Sequence, residues 1–175
     1  MTIEGKEIEG VEPIFDKINV GDEISLVKGP VTREGIQAYG KASGDRNPIH
    51  MSDKAAIASG LGDVIAHGLS SMAYVNQLLG NWAGEEGWVR KIDIQMRGMV
   101  RVDDMLTSKG KITKKYEDGG KKFVELDVWQ ESKTLVTEDK EKKGFFKEKD
   151  EFITEGDDKY RIQKTILGTG VVNLP

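Results

Sequence analysis

The sequence contains no cysteine. Disulfides, thiolate nucleophiles and cysteine-ligated zinc are therefore excluded, and a reducing compartment fits. Histidine is nearly as scarce. His50 and His67 are the only two, so imidazole chemistry is confined to one short stretch. No apolar run approaches the ~20 residues that cross a bilayer. Positive charge is not in excess either. A net charge of −4 supplies no basic field to attract nucleic acid or an anionic membrane, so an anionic ligand must be held by local groups. Met1 to Gly10 carries Glu4, Lys6, Glu7 and Glu9 and no apolar segment, so a secretory leader is not expected. A cytoplasmic protein with neither nucleic acid nor membrane as partner is the expectation. What is present is 37 % apolar and 32 % charged residues in a chain of 175, a globular composition long enough for one ordinary core.

Periodicity divides the chain. Residues 1–14 read as an arm without clear period, and residues 22–28 as a weakly alternating strand after a Val20-Gly21-Asp22 turn. Thr32 is the expected N-cap of a helix with Glu34 in its first turn and Ile36, Tyr39 and Ala42 along one stripe. Ser43-Gly44-Asp45 ends it. Residues 44–66 are irregular, because Pro48 blocks a continuous helix and Gly60 and Gly62 loosen the chain, with a short helix expected over Asp53–Ser59. In residues 68–82, Leu69, Met72, Ala73, Val75, Leu78, Leu79 and Trp82 cover more than half of a helical wheel, which predicts a buried helix.

Strands follow. Residues 88–96 alternate, with Trp88, Ile92, Ile94 and Met96 on the apolar face and Arg90 as its exception. A more polar strand over 105–116 ends at Glu117-Asp118-Gly119-Gly120. Val124, Leu126 and Val128 mark a strand over 122–130, and Ile162, Ile166, Val171 and Val172 one over 161–173. One buried helix followed by a run of hairpins predicts an α+β fold, an antiparallel sheet wrapped around that helix, with 1–175 as a single domain. Residues 138–159 stand apart: fifteen of these 22 residues are charged, with Phe145, Phe146, Phe152 and Ile153 among them. Mixed charge predicts a solvated excursion between the last two strands. A lid or dimer arm anchored by Phe145 and Phe146 is the alternative.

Two short elements carry chemistry. In Asp45-Arg46-Asn47-Pro48-Ile49-His50 an acid, a carboxamide and an imidazole sit in a non-helical segment with Pro48 setting a bend. A carboxylate and an imidazole in one pocket can hold and polarise one water, and Asn47 adds a donor and an acceptor without charge. The same residues are also ordinary turn chemistry, since Asp and Asn side chains bond their own backbone. The second element is Ile65-Ala66-His67-Gly68-Leu69-Ser70. Gly68 stands at the start of the buried helix, where main-chain N–H groups are unpaired and a ligand oxygen can approach closely. Relief of crowding by Gly68, a packed structural His67 and a helix-start Ser70 bonding local backbone are the bland alternatives.

Together the elements are more specific. The stretch Tyr39 to Ala56, with its Gly-Asp-x-Asn-Pro-x-His segment, followed by Ile65-Ala66-His67-Gly68, resembles the MaoC-like (R)-specific enoyl-CoA hydratase and dehydratase family. Phe15 to Glu23 and Gly168 to Pro175 are similar to it as well. The resemblance implies a hot-dog fold with residues 68–82 as its central helix. It implies Asp45 and His50 as the catalytic pair, the Gly68 amide as donor to the thioester oxygen, and Asn47 in a positioning role. His67 and Ser70, next to Gly68 in sequence, are further candidates for substrate contact. No metal and no cofactor are implied beyond coenzyme A or acyl carrier protein as substrate carrier, and a homodimer is the expected assembly. The implied reaction is reversible syn hydration of a trans-2-enoyl thioester to the (R)-3-hydroxyacyl thioester. A hot-dog thioesterase and an acyl-thioester-binding subunit of a heteromeric dehydratase are the alternatives. Arg90, and equally Lys54, Arg97 and Arg101, are candidates for a coenzyme A phosphate, against the commoner solvated arginine or lysine.

Overall fold

The computed structural model describes residues 8–175, so the first seven residues of the expected arm lie outside the described residues. Seven antiparallel strands form one sheet in the order β1 (Glu9–Gly10), β2 (Glu23–Lys28), β4 (Met105–Asp118), β5 (Lys121–Leu135), β7 (Asp158–Leu174) and β3 (Trp88–Met96), with β6 (Glu151–Glu155) pairing the first part of β7. The sheet wraps the helix α4 (Gly68–Ala83), which gives the α+β hot-dog fold.

The core is the contact between them. Ser71, Val75, Leu78, Leu79 and Trp82 recur at helical spacing on the buried side of α4. All but Ser71 meet Ile24, Leu26, Ile112, Val124, Leu126, Val128, Ile166 and Val172 from alternate positions of four strands. Gly170 lets the layers close: a Cβ there would lie 2.6 Å from Leu79 Cδ1. Trp82 donates its indole N–H to the Val11 carbonyl at 2.8 Å, tying the segment after β1 to the helix end. The helix is not buried all round. Leu69 is 59 % exposed and Ala73 is also exposed, because the sheet covers one side only.

Strand β3 also departs from simple alternation. Its pairing with β7 shifts between Val89 and Lys91, a bulge that reverses the facing of residues on either side. Val89 therefore joins Ile92 and Ile94 against the core, Arg90 is exposed, and Trp88 is 65 % exposed.

Between β2 and α4 run three helices: α1 (Arg33–Ser43), α2 (Pro48–Met51) and α3 (Asp53–Ala58). Thr32 caps α1 by accepting from the Gly35 N–H at 3.0 Å, and Gly44, with φ +79°, ends it in the left-handed conformation. Residues 138–159 are ordered into α5 (Glu138–Lys142) and the β6–β7 hairpin. Most of their charges face solvent, but Phe145 is buried. No helix among the described residues is long and apolar enough to cross a membrane.

Candidate active site

The end of α1 turns the chain toward α4. Ser43 Oγ donates to the Tyr39 carbonyl at 2.8 Å and accepts from the Asp45 N–H at 3.2 Å. Asp45 Oδ1 accepts from the Asn47 N–H at 3.2 Å, and Asn47 Oδ1 accepts from the Ile49 N–H at 3.3 Å as the cap of α2. Both side chains thus do the turn chemistry their residue types allow. Asp45 uses one oxygen for it, and its other oxygen has no hydrogen-bond partner among the described residues. Pro48 opens α2 where its missing N–H is harmless, and one turn of that helix carries His50 inward.

His50 and His67 are both buried, with ring centroids 4.0 Å apart, and Tyr39 lies 4.9 Å from the His67 ring. His50 Nδ1 donates to the Ile65 carbonyl at 2.7 Å. His67 Nε2 donates to the main-chain carbonyl of Asp45 at 2.9 Å. A carbonyl only accepts, so each hydrogen bond fixes a tautomer. Neutral His50 carries its proton on Nδ1 and presents a bare Nε2. Neutral His67 presents a bare Nδ1, which is buried without a partner.

One side-chain ligand atom from each of Asp45, His50 and His67 lies within 4.8 Å of the others. Two groups bridged by one water at ~2.8 Å from each stand about 4.6 Å apart, so the span suits a shared water. A tetrahedral ion bonded at about 2.1 Å would hold its ligands about 3.4 Å apart, which asks for a tighter cluster than this limit requires.

Gly68 is the first residue of α4, and as such its N–H has no intrahelical acceptor. The Met96 thioether from β3 lies over it: a Cβ on Gly68 would come within 2.2 Å of Met96 Sδ. Ser70 Oγ donates to the His67 carbonyl at 2.7 Å. Two cavities flank this turn. One of about 130 Å³ is lined by His50, Gly68, Ser71, Met96 and Thr165 among others. The other, about 310 Å³, is lined by Ile36, Tyr39, Ser70, Tyr74 and Leu106 among others. Ala66, Ser71 and Val100 belong to both linings.

The structure therefore brings Asp45, His50 and His67 together, with Gly68 on the same small cavity as His50. Asn47 is exposed in the adjoining turn, and Ser70 faces the larger cavity. Arg101 is not at the surface. It is 3 % exposed and donates to the Leu61 carbonyl at 2.7 Å, which removes it from the candidates for a carrier phosphate. Three neighbours of the site escaped the sequence reading. Tyr39 stood inside the motif but only as a helix-stripe residue. Met96 is 50 % exposed beside Gly68 because β3 ends there. Gln130 donates to the Ser71 carbonyl and to Ser108 Oγ, each at 3.1 Å, and so pins the first turn of α4 to the sheet. Its visible signal was a polar residue continuing the inward alternation of Val124, Leu126 and Val128.

Residues 17–134 match the MaoC like domain family, and the chain belongs to that family of dehydratases and hydratases. A curated relative is a 3-hydroxybutyryl-CoA dehydratase of Methylorubrum extorquens, 29 % identical over 96 residues, which are 54 % of this chain and 60 % of the relative. The fatty acid synthase subunit beta of Saccharomyces cerevisiae is 31 % identical over 123 residues, 69 % of this chain but 6 % of that protein. The chain thus spans less than two thirds of the length of the first relative and a small fraction of the second. Among solved structures, an (R)-hydratase of A. caviae involved in PHA biosynthesis superposes with a TM-score of 0.67 at 21 % identity, covering 91 % of this chain and 98 % of that one. An R-hydratase of Pseudomonas aeruginosa gives 0.69 at 15 % identity, covering 97 % and 89 %. At such identities the superpositions establish the hot-dog fold.

Proposed function

We propose that this chain is a hydro-lyase that adds water reversibly and syn across the double bond of a trans-2-enoyl thioester, giving the (R)-3-hydroxyacyl thioester. The observation that carries this reading is the pairing of the Asp45 carboxylate with a buried His50 whose tautomer is locked by Ile65. Water is a poor nucleophile at neutral pH. A base must take its proton as oxygen bonds to C3, and the bare His50 Nε2 and the unengaged Asp45 oxygen would share that work. Negative charge then develops on the thioester oxygen. The Gly68 N–H, at the positive end of the α4 dipole, is the donor that meets it. The same Asp45–His50 pair returns a proton to C2. Both new bonds would form on one face of the substrate, because Asp45 and His50 would act on it as neighbours, their ligand atoms within 4.8 Å of each other.

The smaller cavity would take the reacting carbons beside His50 and Gly68, and the larger one the acyl tail. Asn47 holds the turn that presents Asp45, and His67 supports it by bonding the Asp45 carbonyl. Coenzyme A or acyl carrier protein would carry the thioester, and no further cofactor takes part. A homodimer belongs to the same proposal. Among the described residues strand β3 pairs only with β7, so its other edge would offer main-chain groups to a second copy.

The thioesterase reading predicts a different product, because attack at C1 would release a free thiol. The test is hydration of trans-2-enoyl thioesters by the wild type, Asp45→Asn and His50→Ala, followed by absorbance of the double bond and by thiol titration. Each variant should lose about 10²–10⁴-fold in turnover, and the double variant should be little worse than either single one, since groups acting on one water are not additive. In heavy water, deuterium should enter C2 on the face of the new R hydroxyl. An S product, thiol release, or full activity in either variant would overturn the reading. A non-catalytic binding subunit would show no turnover at all.

A further inference from the structure

The charged excursion after β5 reaches the turn that orients His50. Phe145, 5 % exposed, lays its ring against the guanidinium of Arg101, with Cζ 3.9 Å from the ring centroid. Arg101 Nη1 donates to the Leu61 carbonyl at 2.7 Å, and the Arg101 backbone forms an isolated antiparallel bridge with Ile65. Next to that bridge, the Ala66 N–H donates to the Val100 carbonyl at 2.8 Å. Ile65 is the residue whose carbonyl accepts from His50 Nδ1. Gly62 shows how closely the two segments meet. At φ +77°, its missing Cβ would lie 2.4 Å from the Lys143 carbonyl and 3.0 Å from the Phe145 ring.

The far side of Phe145 is equally fixed. Buried Arg161 donates to the Phe145 carbonyl at 2.9 Å and to Thr134 Oγ1 at 3.1 Å, and Thr134 donates to buried Asp104 at 2.6 Å. Asp104 in turn accepts from the Arg101 N–H at 2.9 Å. Burial, and then the neighbouring Arg161 charge, lowers the Arg101 pKa. The closed network therefore surrounds a desolvated cation for which the Phe145 ring face is one of few partners. A merely solvated excursion has no reason to place a ring there.

We propose that residues 138–155 act as a clamp on the 61–66 segment, and that Phe145 and Arg101 are positioning residues for His50. They act through Leu61 and Ile65 and do not touch substrate. The pair holds the Ile65 carbonyl where it keeps the His50 proton on Nδ1, and so keeps Nε2 bare for the reaction. The effect on turnover rests on the hydratase reading; the effect on the imidazole does not.

The test uses the full chain with ¹⁵N-labelled histidine. Two imidazoles give a spectrum that His50→Ala assigns by loss of one ring system. The wild type should show neutral His50 protonated on Nδ1. Phe145→Ala should shift it toward a mixture with the Nε2–H tautomer, and should lower kcat about tenfold with KM little changed, the size usual for residues that orient a reacting group from one shell away. Arg101→Lys, which keeps the charge and loses the plane, should do the same. Phe145→Tyr, which keeps the ring, should restore both readouts. If Phe145→Ala does not fold, Phe145→Leu fills the space without the ring and carries the test. An unchanged His50 tautomer in a folded variant, with or without loss of turnover, would overturn the clamp. Absence of hydration in the wild type would sink the enzymatic reading and leave the tautomer result to decide the clamp on its own.

Discussion

Gly68→Ala separates stability from catalysis within one residue. The backbone at Gly68 is an ordinary helix start with no positive φ, so alanine can adopt it. Removing a glycine from such a position stabilises a protein by about 0.4–1 kcal/mol through the unfolded chain. Against this stands Met96, whose Sδ would be 2.2 Å and whose Cε 2.9 Å from the new Cβ. Met96 is half exposed on the sheet edge, and its flexible thioether can swing into solvent at a cost of order 1 kcal/mol. The two nearly cancel, so the melting temperature should move by no more than a few degrees. Turnover should behave differently. The new methyl would stand in the lining of the 130 Å³ cavity, where the proposed reaction brings the thioester oxygen to the Gly68 N–H. Loss of one such donor typically lowers kcat by about 10²–10³-fold, and about 10²-fold is expected for crowding that leaves the amide present. The assay pairs thermal denaturation with steady-state hydration of a short trans-2-enoyl thioester. Met96→Ala in the same chain removes the clash without clearing the methyl from the oxygen's path, so it should not restore activity. Full activity in Gly68→Ala, or rescue by Met96→Ala, would refute the assignment of the Gly68 amide to the oxyanion.

Two further outcomes are expected. Burial pushes the Asp63 carboxyl up, but the Arg33 hydrogen bond at 2.8 Å and the Val64 N–H at 2.7 Å outweigh it, and the folded-state pKa lies below the usual value. A lowered carboxylate pKa contributes stability that is present above the unfolded pKa and is lost as pH falls through the folded one. Asp63→Asn should therefore reduce stability by about 1 kcal/mol at neutral pH, held to that size by the partial exposure of Arg33, and by progressively less below pH ~4; urea midpoints that differ equally at pH 7 and pH 3 would contradict this. Sedimentation at micromolar concentration should give a dimer, and a Met96→Lys change at the exposed end of β3 should shift it toward monomer, whereas a wild type that sediments only as monomer would remove the proposed pairing of β3 edges.

Some of this was legible in residue types and spacing alone. The cap at Thr32, the stop at Gly44 and the stretch of α4 are local decisions, made by neighbours within one helical turn, and local patterns report them well. The meeting of Asp45, His50 and His67 was legible only through the family resemblance, because the contacts that close it come from residues 15 and 22 positions away. The facing of Trp88 was misread because a bulge leaves no mark in an alternating pattern. Strand β5 was cut short at residue 130 for a physical reason: its inward residues turn from Val124, Leu126 and Val128 to Gln130, Ser132 and Thr134, all fully buried. Apolar alternation cannot follow a strand into a polar interior. The buried Arg101 and Arg161 that give those polar groups their surroundings look, in sequence, like any surface arginines.

Strand β7 holds three partners at once, β5 from Tyr160 to Leu174 and β6 and β3 in succession on its other side. It also follows all three in sequence, and the Trp88 it pairs through Asn173 lies before β4 and β5 have begun. During synthesis, then, α4 can form and β2, β4 and β5 can zip together while β3 waits with both edges bare. Its hydrophobic residues Val89, Ile92 and Ile94 wait with it. Such late, long-range closure makes for slow folding and a period of exposed strand edges. The charges that flank those residues, Arg90, Lys91 and Asp93, sit where they keep a waiting strand from pairing with the wrong neighbour.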